Sequence, residues 1–138
     1  MNRMPMIEEQ DATGEVAEIY DDIRRTLGIN FVPNIDKHVA ISPNVLKATW
    51  EAERHIYLNS SLPQTISSLI IFSVSAANEC YYCDSFFRSV CMAVGVDQDL
   101  LDKLDKDPAT LPSDRVRAII DFALKCSMKS DNPVGRRF

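Results

Sequence analysis

The chain has 138 residues, of which 46% are hydrophobic and 25% are charged, so it is long and apolar enough to bury a core without metal or disulfide staples. A net charge of −5 and a pI near 4.9 argue against nucleic-acid binding, which needs a basic surface. No apolar run reaches the roughly 18 residues of a transmembrane helix, and the first ten residues lack the apolar segment of a secretory signal. We expect a single domain over residues 1–138, with frayed tails at 1–10 and 130–138.

The first half of the chain predicts two longer helices. Apolar residues at helical spacing indicate an amphipathic helix over 15–27, which Gly28 ends. A connector with a short helical turn follows over 29–38. Ser42 and Pro43 then begin a helix that runs to about residue 58, because the fixed φ of proline suits the first helical position.

The second half predicts four more helices. Residues 64–77 are apolar on nearly all sides, which is typical of a helix buried centrally or lying in a subunit contact. A corner at 78–79 leads to a helix from Cys80 to about residue 93, and shorter patterns mark helices over 97–104 and 113–128. No segment alternates as a strand would, so the fold class is predicted to be all-α.

The most informative residues are Cys80 and Cys83, which are three residues apart at the start of a predicted helix. Such thiols can form a disulfide with little backbone movement, and a helix N-terminus favours the thiolate. Redox chemistry uses this arrangement when one thiolate attacks oxygen or sulfur and the second thiol resolves the product. Buried structural cysteines and a metal site are the alternatives.

Metal binding is the least favoured of these readings, because structural zinc needs four ligands and the sequence has no second pair of the required spacing. No metal and no cofactor are therefore expected. Four cysteines in a chain of this size also fit a reducing cytoplasm better than a secreted disulfide framework.

The stretch from Leu69 to Cys83 combines an apolar helix, an Ala-Ala-Asn corner and a Cys-x-Tyr-Cys motif, and Gly95 follows. In this order the features resemble the carboxymuconolactone decarboxylase superfamily, and within it the alkylhydroperoxidase D-like, peroxidase-related branch. The resemblance covers about residues 10–128. It implies an all-α helical bundle of the AhpD type, whose protomers assemble as homotrimers or homohexamers.

The same resemblance implies a thiol-dependent peroxidase, or disulfide oxidoreductase, that acts in antioxidant defence. Cys83 would attack a small-molecule hydroperoxide, and Cys80 would resolve the sulfenate as a disulfide. A dithiol reductant of lipoyl or thioredoxin type would then restore both thiols. No nucleic acid or membrane partner is expected.

Two positions depart from the pattern of these relatives. Their proton relay has a histidine four residues after the second cysteine and a glutamate twelve residues before the first, where this chain has Phe87 and Ser68. Because loss of a positioned base typically costs about 10²- to 10⁴-fold in rate, we expect weak peroxidase activity. The alternative is a catalytically degenerate, oligomeric binding or scaffold protein of the same fold.

Three residues are candidates for a substitute proton relay: Glu79, His55 and Ser68. Each also has a simpler explanation, since corner carboxylates and histidines near helix ends are usually solvated, and a buried helix serine usually bonds its own backbone. Tyr82 and Phe87 are expected beside the pocket of the thiol pair, with packing as the simpler role.

Overall fold

The computed structural model describes residues 4–104, 111 and 113–127. Within them lie seven α-helices and no strand, so the all-α prediction is confirmed. The predicted tail at 130–138 lies outside the described residues. By its internal contacts the chain divides into two compact units, Met1–Asn59 and Ser60–Phe138. That the whole chain is one domain stays a prediction.

The first unit contains α1 (Gly14–Leu27), α2 (Asn34–Val39) and α3 (Pro43–Glu53), and α3 continues into a π-helical turn, Arg54–Leu58. Helix α1 ends where predicted, because Gly28 adopts the left-handed conformation with a φ of 66°. Both α1 and α2 pack against α3. The apolar stripe of α1 and one side of α3 supply most of the hydrophobic cluster of this unit, whose buried residues are Val16, Ile19, Tyr20, Ile23, Val32, Ala40, Leu46 and Trp50.

Polar contacts join Ile7 and Glu9, near the start of the chain, to the helices of the first unit. The backbone N–H of Ile7 donates to the carbonyl of Lys37 at 3.0 Å, and the Tyr20 hydroxyl donates to the carbonyl of Ile7 at 2.9 Å. The carboxylate of Glu9 pairs with Arg24. Part of the predicted N-terminal tail is thus hydrogen-bonded to α1 and α2.

The second unit contains α4 (Gln64–Ala77), α5 (Tyr81–Ala93), α6 (Gln98–Leu104) and α7 (Asp114–Ser127). Helix α4 has the predicted bounds and packs against α5 and α7. In the part of the chain that the structure describes, no helix is both long and apolar enough to cross a membrane. The hydrophobic cluster of this unit has as its buried residues Leu69, Phe72, Cys91, Val96, Leu101, Leu104, Leu111 and Ile120.

Candidate functional site

The two cysteines of the motif lie at the N-terminus of α5. Cys80 is the N-cap residue and Cys83 lies in the first turn. Both are free thiols, both are partly exposed, and their sulfur atoms are 2.7 Å apart. Neither thiol is therefore sealed in the core, as the structural-cysteine alternative would require.

The surroundings shift the pKa values of these two thiols in opposite directions. The pKa of Cys80 is lowered, first by its hydrogen bond with the Cys83 thiol and then by the backbone N–H groups of Cys83 and Tyr82. The pKa of Cys83 is raised, first by that same hydrogen bond with Cys80 and then by burial. Free N–H groups at a helix N-terminus favour nearby negative charge. Cys80 is the N-cap residue of α5, but its side chain makes no capping hydrogen bond.

A tight corner between α4 and α5 fixes the position of Cys80, the N-cap residue of α5. The backbone N–H of Glu79 donates to the carbonyl of Ala76 at 3.0 Å, and that of Cys80 donates to the carbonyl of Ser75 at 2.9 Å. This pair of bonds is a Schellman motif, in which the residue after the C-cap is left-handed and is usually glycine. Here Glu79 adopts that conformation, with a φ of 55°. Non-glycine residues held in this conformation cluster at functional sites, and Glu79 directly precedes Cys80.

A cavity of about 330 Å³ opens beside Cys80, entirely within the second unit. Its wall is formed by α4, by the corner, by the first turn of α5, and by one leucine from each of α6 and α7. Most of the lining is apolar, which suits a ligand with a hydrocarbon part. The lining residues are Phe72, Ser73, Ser75, Ala76, Ala77, Glu79, Cys80, Tyr81, Asp84, Leu104 and Leu124.

Two polar side chains of this cavity have a buried atom with no hydrogen-bond partner among the described residues. They are Ser73, through its hydroxyl oxygen, and Asp84, through Oδ1. Both atoms are fully buried, so they do not face the cavity, and other atoms of the two residues form its wall. The sequence did not predict either residue as part of a cavity wall. The signal available for Ser73 was an unusual number of serines on an otherwise apolar helix.

The three candidates for a substitute relay lie in different surroundings. Glu79 is exposed and lines the cavity. Ser68 is fully buried, and its hydroxyl donates to the carbonyl of Gln64 at 2.8 Å, which is the backbone bonding raised as its simpler explanation. His55 is exposed in the π-helical turn of the first unit. Only Glu79 of these three lines the cavity of Cys80, and a relay role for any of them stays a prediction.

The two aromatic residues expected at the pocket lie elsewhere on α5. Tyr82 is exposed and does not line the cavity, whereas its neighbour Tyr81 does. Phe87 packs against the buried cluster of the second unit and meets Phe86 edge to face at 5.3 Å between ring centroids. Cys91 is fully buried, and burial raises the pKa of its thiol to about 11. Among the described residues, no group of three or more His, Cys, Asp or Glu is placed to hold a metal ion.

Comparison with known proteins agrees with this architecture. No family model and no curated protein matches the sequence. The structure is similar to the crystal structure of the alkylhydroperoxidase AhpD core from Rhodospirillum rubrum, with a TM-score of 0.67 and 28% sequence identity. The match covers 91% of this chain and 86% of the other. The chain therefore has an AhpD-like fold of the carboxymuconolactone decarboxylase type.

Proposed function

We propose that the chain is a thiol-dependent peroxidase, or disulfide oxidoreductase, of the alkylhydroperoxidase D-like type, with an antioxidant role. The observation that supports this proposal most is a pair of free thiols, 2.7 Å apart at a helix N-terminus, one of which lines a cavity. The solved structure to which the chain is similar is named as an alkylhydroperoxidase core, and that name gives the reaction class its second support.

The proposed cycle needs only the two thiols and a dithiol reductant. One thiolate attacks a hydroperoxide oxygen, the O–O bond breaks, and the sulfur becomes a sulfenic acid while an alkoxide leaves and is protonated. The second thiol attacks the sulfenic sulfur, and the product is a disulfide and water. A dithiol of lipoyl or thioredoxin type then reduces the disulfide and is itself oxidised to a disulfide.

The partners follow from the same proposal. The largely apolar cavity favours a small organic hydroperoxide over hydrogen peroxide. Tyr81 and Tyr82 are exposed beside the thiols, where a reductant must approach them. A homotrimer or homohexamer in the cytoplasm completes the proposal, and size-exclusion chromatography with light scattering would measure the assembly.

A peroxide titration of the reduced protein tests the reaction. With one equivalent of tert-butyl hydroperoxide we expect the intact mass under non-reducing conditions to fall by two hydrogens, and the disulfide to join Cys80 to Cys83. Cys80→Ser and Cys83→Ser should each prevent this disulfide, and with a dithiol present the variant that lacks the attacking cysteine should show no turnover. Cys126→Ser is the matched control, because Cys126 is an exposed free thiol on α7. If the wild type consumes no hydroperoxide at any pH tested, the proposal is refuted.

A second candidate is a catalytically degenerate scaffold of the same fold. It is favoured by Phe87, which packs into the cluster of the second unit, and by Ser68, which bonds its own helix. In that case the double variant Cys80→Ser/Cys83→Ser should keep the assembly state and the Tm of the wild type, and the wild type should show no dithiol-dependent turnover. Measurable turnover would exclude the scaffold as the main function.

A further inference from the structure

We propose that the cavity beside Cys80 selects uncharged, compact organic hydroperoxides and repels anionic ones, such as the hydroperoxides of fatty acids, through the carboxylate of Glu79 at its mouth. This inference rests on the proposed function and names the substrate class of that site. It concerns which molecules reach the thiol pair, and it holds for attack by either thiol.

The charged side chains among the described lining residues of the cavity are all acidic. They are Glu79 and Asp84, and none of the described lining residues is a lysine, an arginine or a histidine. The whole chain also has a net charge of −5. A cleft that is lined by one sign of charge concentrates the field of those charges and lowers the local concentration of ligands of the same sign. An anionic hydroperoxide is therefore disfavoured at this site.

Glu79 lies where its charge acts on an entering molecule. It is exposed, it directly precedes Cys80, and both residues line the cavity. Asp84 is half-buried and its Oδ1 is enclosed by protein, so it contributes to the negative field from within the wall. The carboxylate that a ligand meets at the entrance is that of Glu79.

The backbone gives an independent reason to assign a function to Glu79. The left-handed position of a Schellman corner is usually occupied by glycine, which adopts this conformation without strain. Glu79 adopts it with a φ of 55°. The two hydrogen bonds of the corner are made by backbone N–H groups, which glycine would supply equally well. A carboxylate at the cavity mouth explains why a glutamate occupies a position where glycine would be more stable.

The cations close to the lining residues do not cancel this charge. Lys103 and Lys125 are adjacent in sequence to the lining leucines of α6 and α7, but both are exposed and neither lines the cavity. The guanidinium of Arg88 lies over the ring of Phe72, 5.1 Å from its centroid, and donates to the carboxylate of Asp102 at 2.6 Å. The charge of Arg88 is thus offset by a carboxylate that also lies outside the lining.

The size of the cavity favours a compact hydrocarbon group. Its volume of about 330 Å³ is about twice the roughly 150 Å³ of an apolar cavity that holds benzene. Ala76, Leu104 and Leu124 supply apolar contacts for such a group. An aryl or branched alkyl group fits within this volume, whereas a long acyl chain would extend into solvent.

Alkylation measures the charge at the thiol pair without any peroxidase step. Iodoacetamide is neutral and iodoacetate is an anion, and both react with the same thiolate, so the ratio of their rates does not depend on the amount of thiolate. Fragment mass spectra report this ratio at Cys80 and Cys83 and, in the same sample, at the exposed Cys126. One like charge at contact distance disfavours an anion by about 5-fold in water and by more near a protein surface. We expect the ratio of the iodoacetamide rate to the iodoacetate rate at the pair to exceed that at Cys126 by at least about 5-fold.

Two substitutions of Glu79 and one control test the source of this charge. Glu79→Gln removes the charge and keeps the size of the side chain, and we expect it to lower the ratio at the pair by at least about 3-fold. Glu79→Lys should lower the ratio further. In wild type, an increase in ionic strength from about 0.01 M to about 1 M should also lower it, because the charges are then screened. Asp99→Asn should leave the ratio unchanged, because Asp99 is an exposed carboxylate of the same unit that does not line the cavity.

A matched pair of hydroperoxides extends the test to the proposed substrates. Cumene hydroperoxide and the same molecule with a carboxylate on its ring differ mainly in charge. Loss of free thiol after one equivalent of each measures their rates, and the rates with a small dithiol in solution correct for intrinsic reactivity. We expect wild type to react at least about 5-fold faster with the neutral hydroperoxide, and Glu79→Gln to reduce this preference.

The outcomes separate this inference from the function on which it rests. If Glu79→Gln leaves both preferences at their wild-type values, or if Glu79→Gln and Asp99→Asn change them alike, the assignment of substrate class to Glu79 is wrong and the peroxidase stands. If wild type consumes neither hydroperoxide, the proposed function fails, and the alkylation ratios decide separately whether Glu79 repels anions from the thiol pair.

Discussion

A buried carboxyl group in the first unit makes the stability of the protein depend on pH. Asp36 on α2 is 3% exposed, and its Oδ1 has no hydrogen-bond partner among the described residues. Burial raises the pKa of Asp36 from 3.8 to about 6. The pKa of Glu53, on α3, is raised first by burial and then by the charge of Asp36. The pKa of Tyr20, on α1, is raised to about 12, first by burial and then by the charge of Asp36.

The sign of the effect follows from which state holds the proton more tightly. Because the folded protein keeps the Asp36 proton to a higher pH than the unfolded chain, stability is lost as pH rises from about 4 to about 6. Above that range, ionised Asp36 lowers the free energy of unfolding by about 3 kcal/mol, since each pKa unit corresponds to about 1.4 kcal/mol. Asp36→Asn removes this term, although an unpaired buried amide still costs about 1 kcal/mol or more.

We therefore expect Asp36→Asn to raise the free energy of unfolding at pH 7 by about 1–2 kcal/mol. Between about pH 4 and pH 6 its stability should also fall less steeply than that of wild type. Urea unfolding followed by tryptophan fluorescence is a direct assay, because Trp50 is the single tryptophan and belongs to the same unit.

Asp11→Asn is the control for this experiment, since it makes the same chemical change at an exposed position of the same unit. It should change the stability by less than about 0.5 kcal/mol at either pH. If Asp36→Asn is less stable than wild type at pH 7, or if its pH dependence equals that of wild type, the reasoning about Asp36 is refuted.

Three further variants test other parts of the second unit. Phe87→His places a base one turn after Cys83, and we expect it to speed disulfide formation after one equivalent of peroxide by about 100-fold, measured by loss of free thiol in stopped flow; an unchanged rate would contradict this. Glu79→Gly relieves the left-handed strain and should raise the free energy of urea unfolding by about 1 kcal/mol, whereas a loss would show that the glutamate side chain stabilises the corner. Leu101→Ala, at a fully buried position, should cost about 2–5 kcal/mol in urea unfolding followed by far-ultraviolet circular dichroism, which also reports the helices of the second unit. The exposed control Leu62→Ala should cost less than about 0.5 kcal/mol, and equal losses would refute the placement of Leu101 in the core.

The helices were predictable because their signals are local. The stripe of α1, Gly28 after it, and the bounds of α4 can all be read from neighbouring residues. The π-helical turn Arg54–Leu58 was not predicted, because the sequence shows only a continued helical pattern there.

The candidate site was predictable in part for the same reason. Cys80 and Cys83 are close in sequence and were identified directly, whereas the cavity depends on Leu104 and Leu124, which only tertiary packing brings to α4. Tyr81 and Tyr82 are adjacent, so the motif cannot say which of them faces the cavity. The side of α5 that turns inward is set by its packing on α4.

The replacement of a relay histidine by Phe87 and of a relay glutamate by Ser68 is compatible with thiol chemistry if the attacking group is already ionised. A relay is needed where a thiol must lose its proton during attack. In this structure the pKa of Cys80 is lowered, first by the hydrogen bond with the Cys83 thiol and then by backbone N–H groups. Backbone groups survive side-chain substitution, so this source of activation persists without the relay. The pKa of Cys83 is raised, first by its hydrogen bond with Cys80 and then by burial, so a step in which this thiol must lose its proton still lacks a base. A histidine at position 87, one turn after Cys83, should accelerate that step and with it the formation of the disulfide.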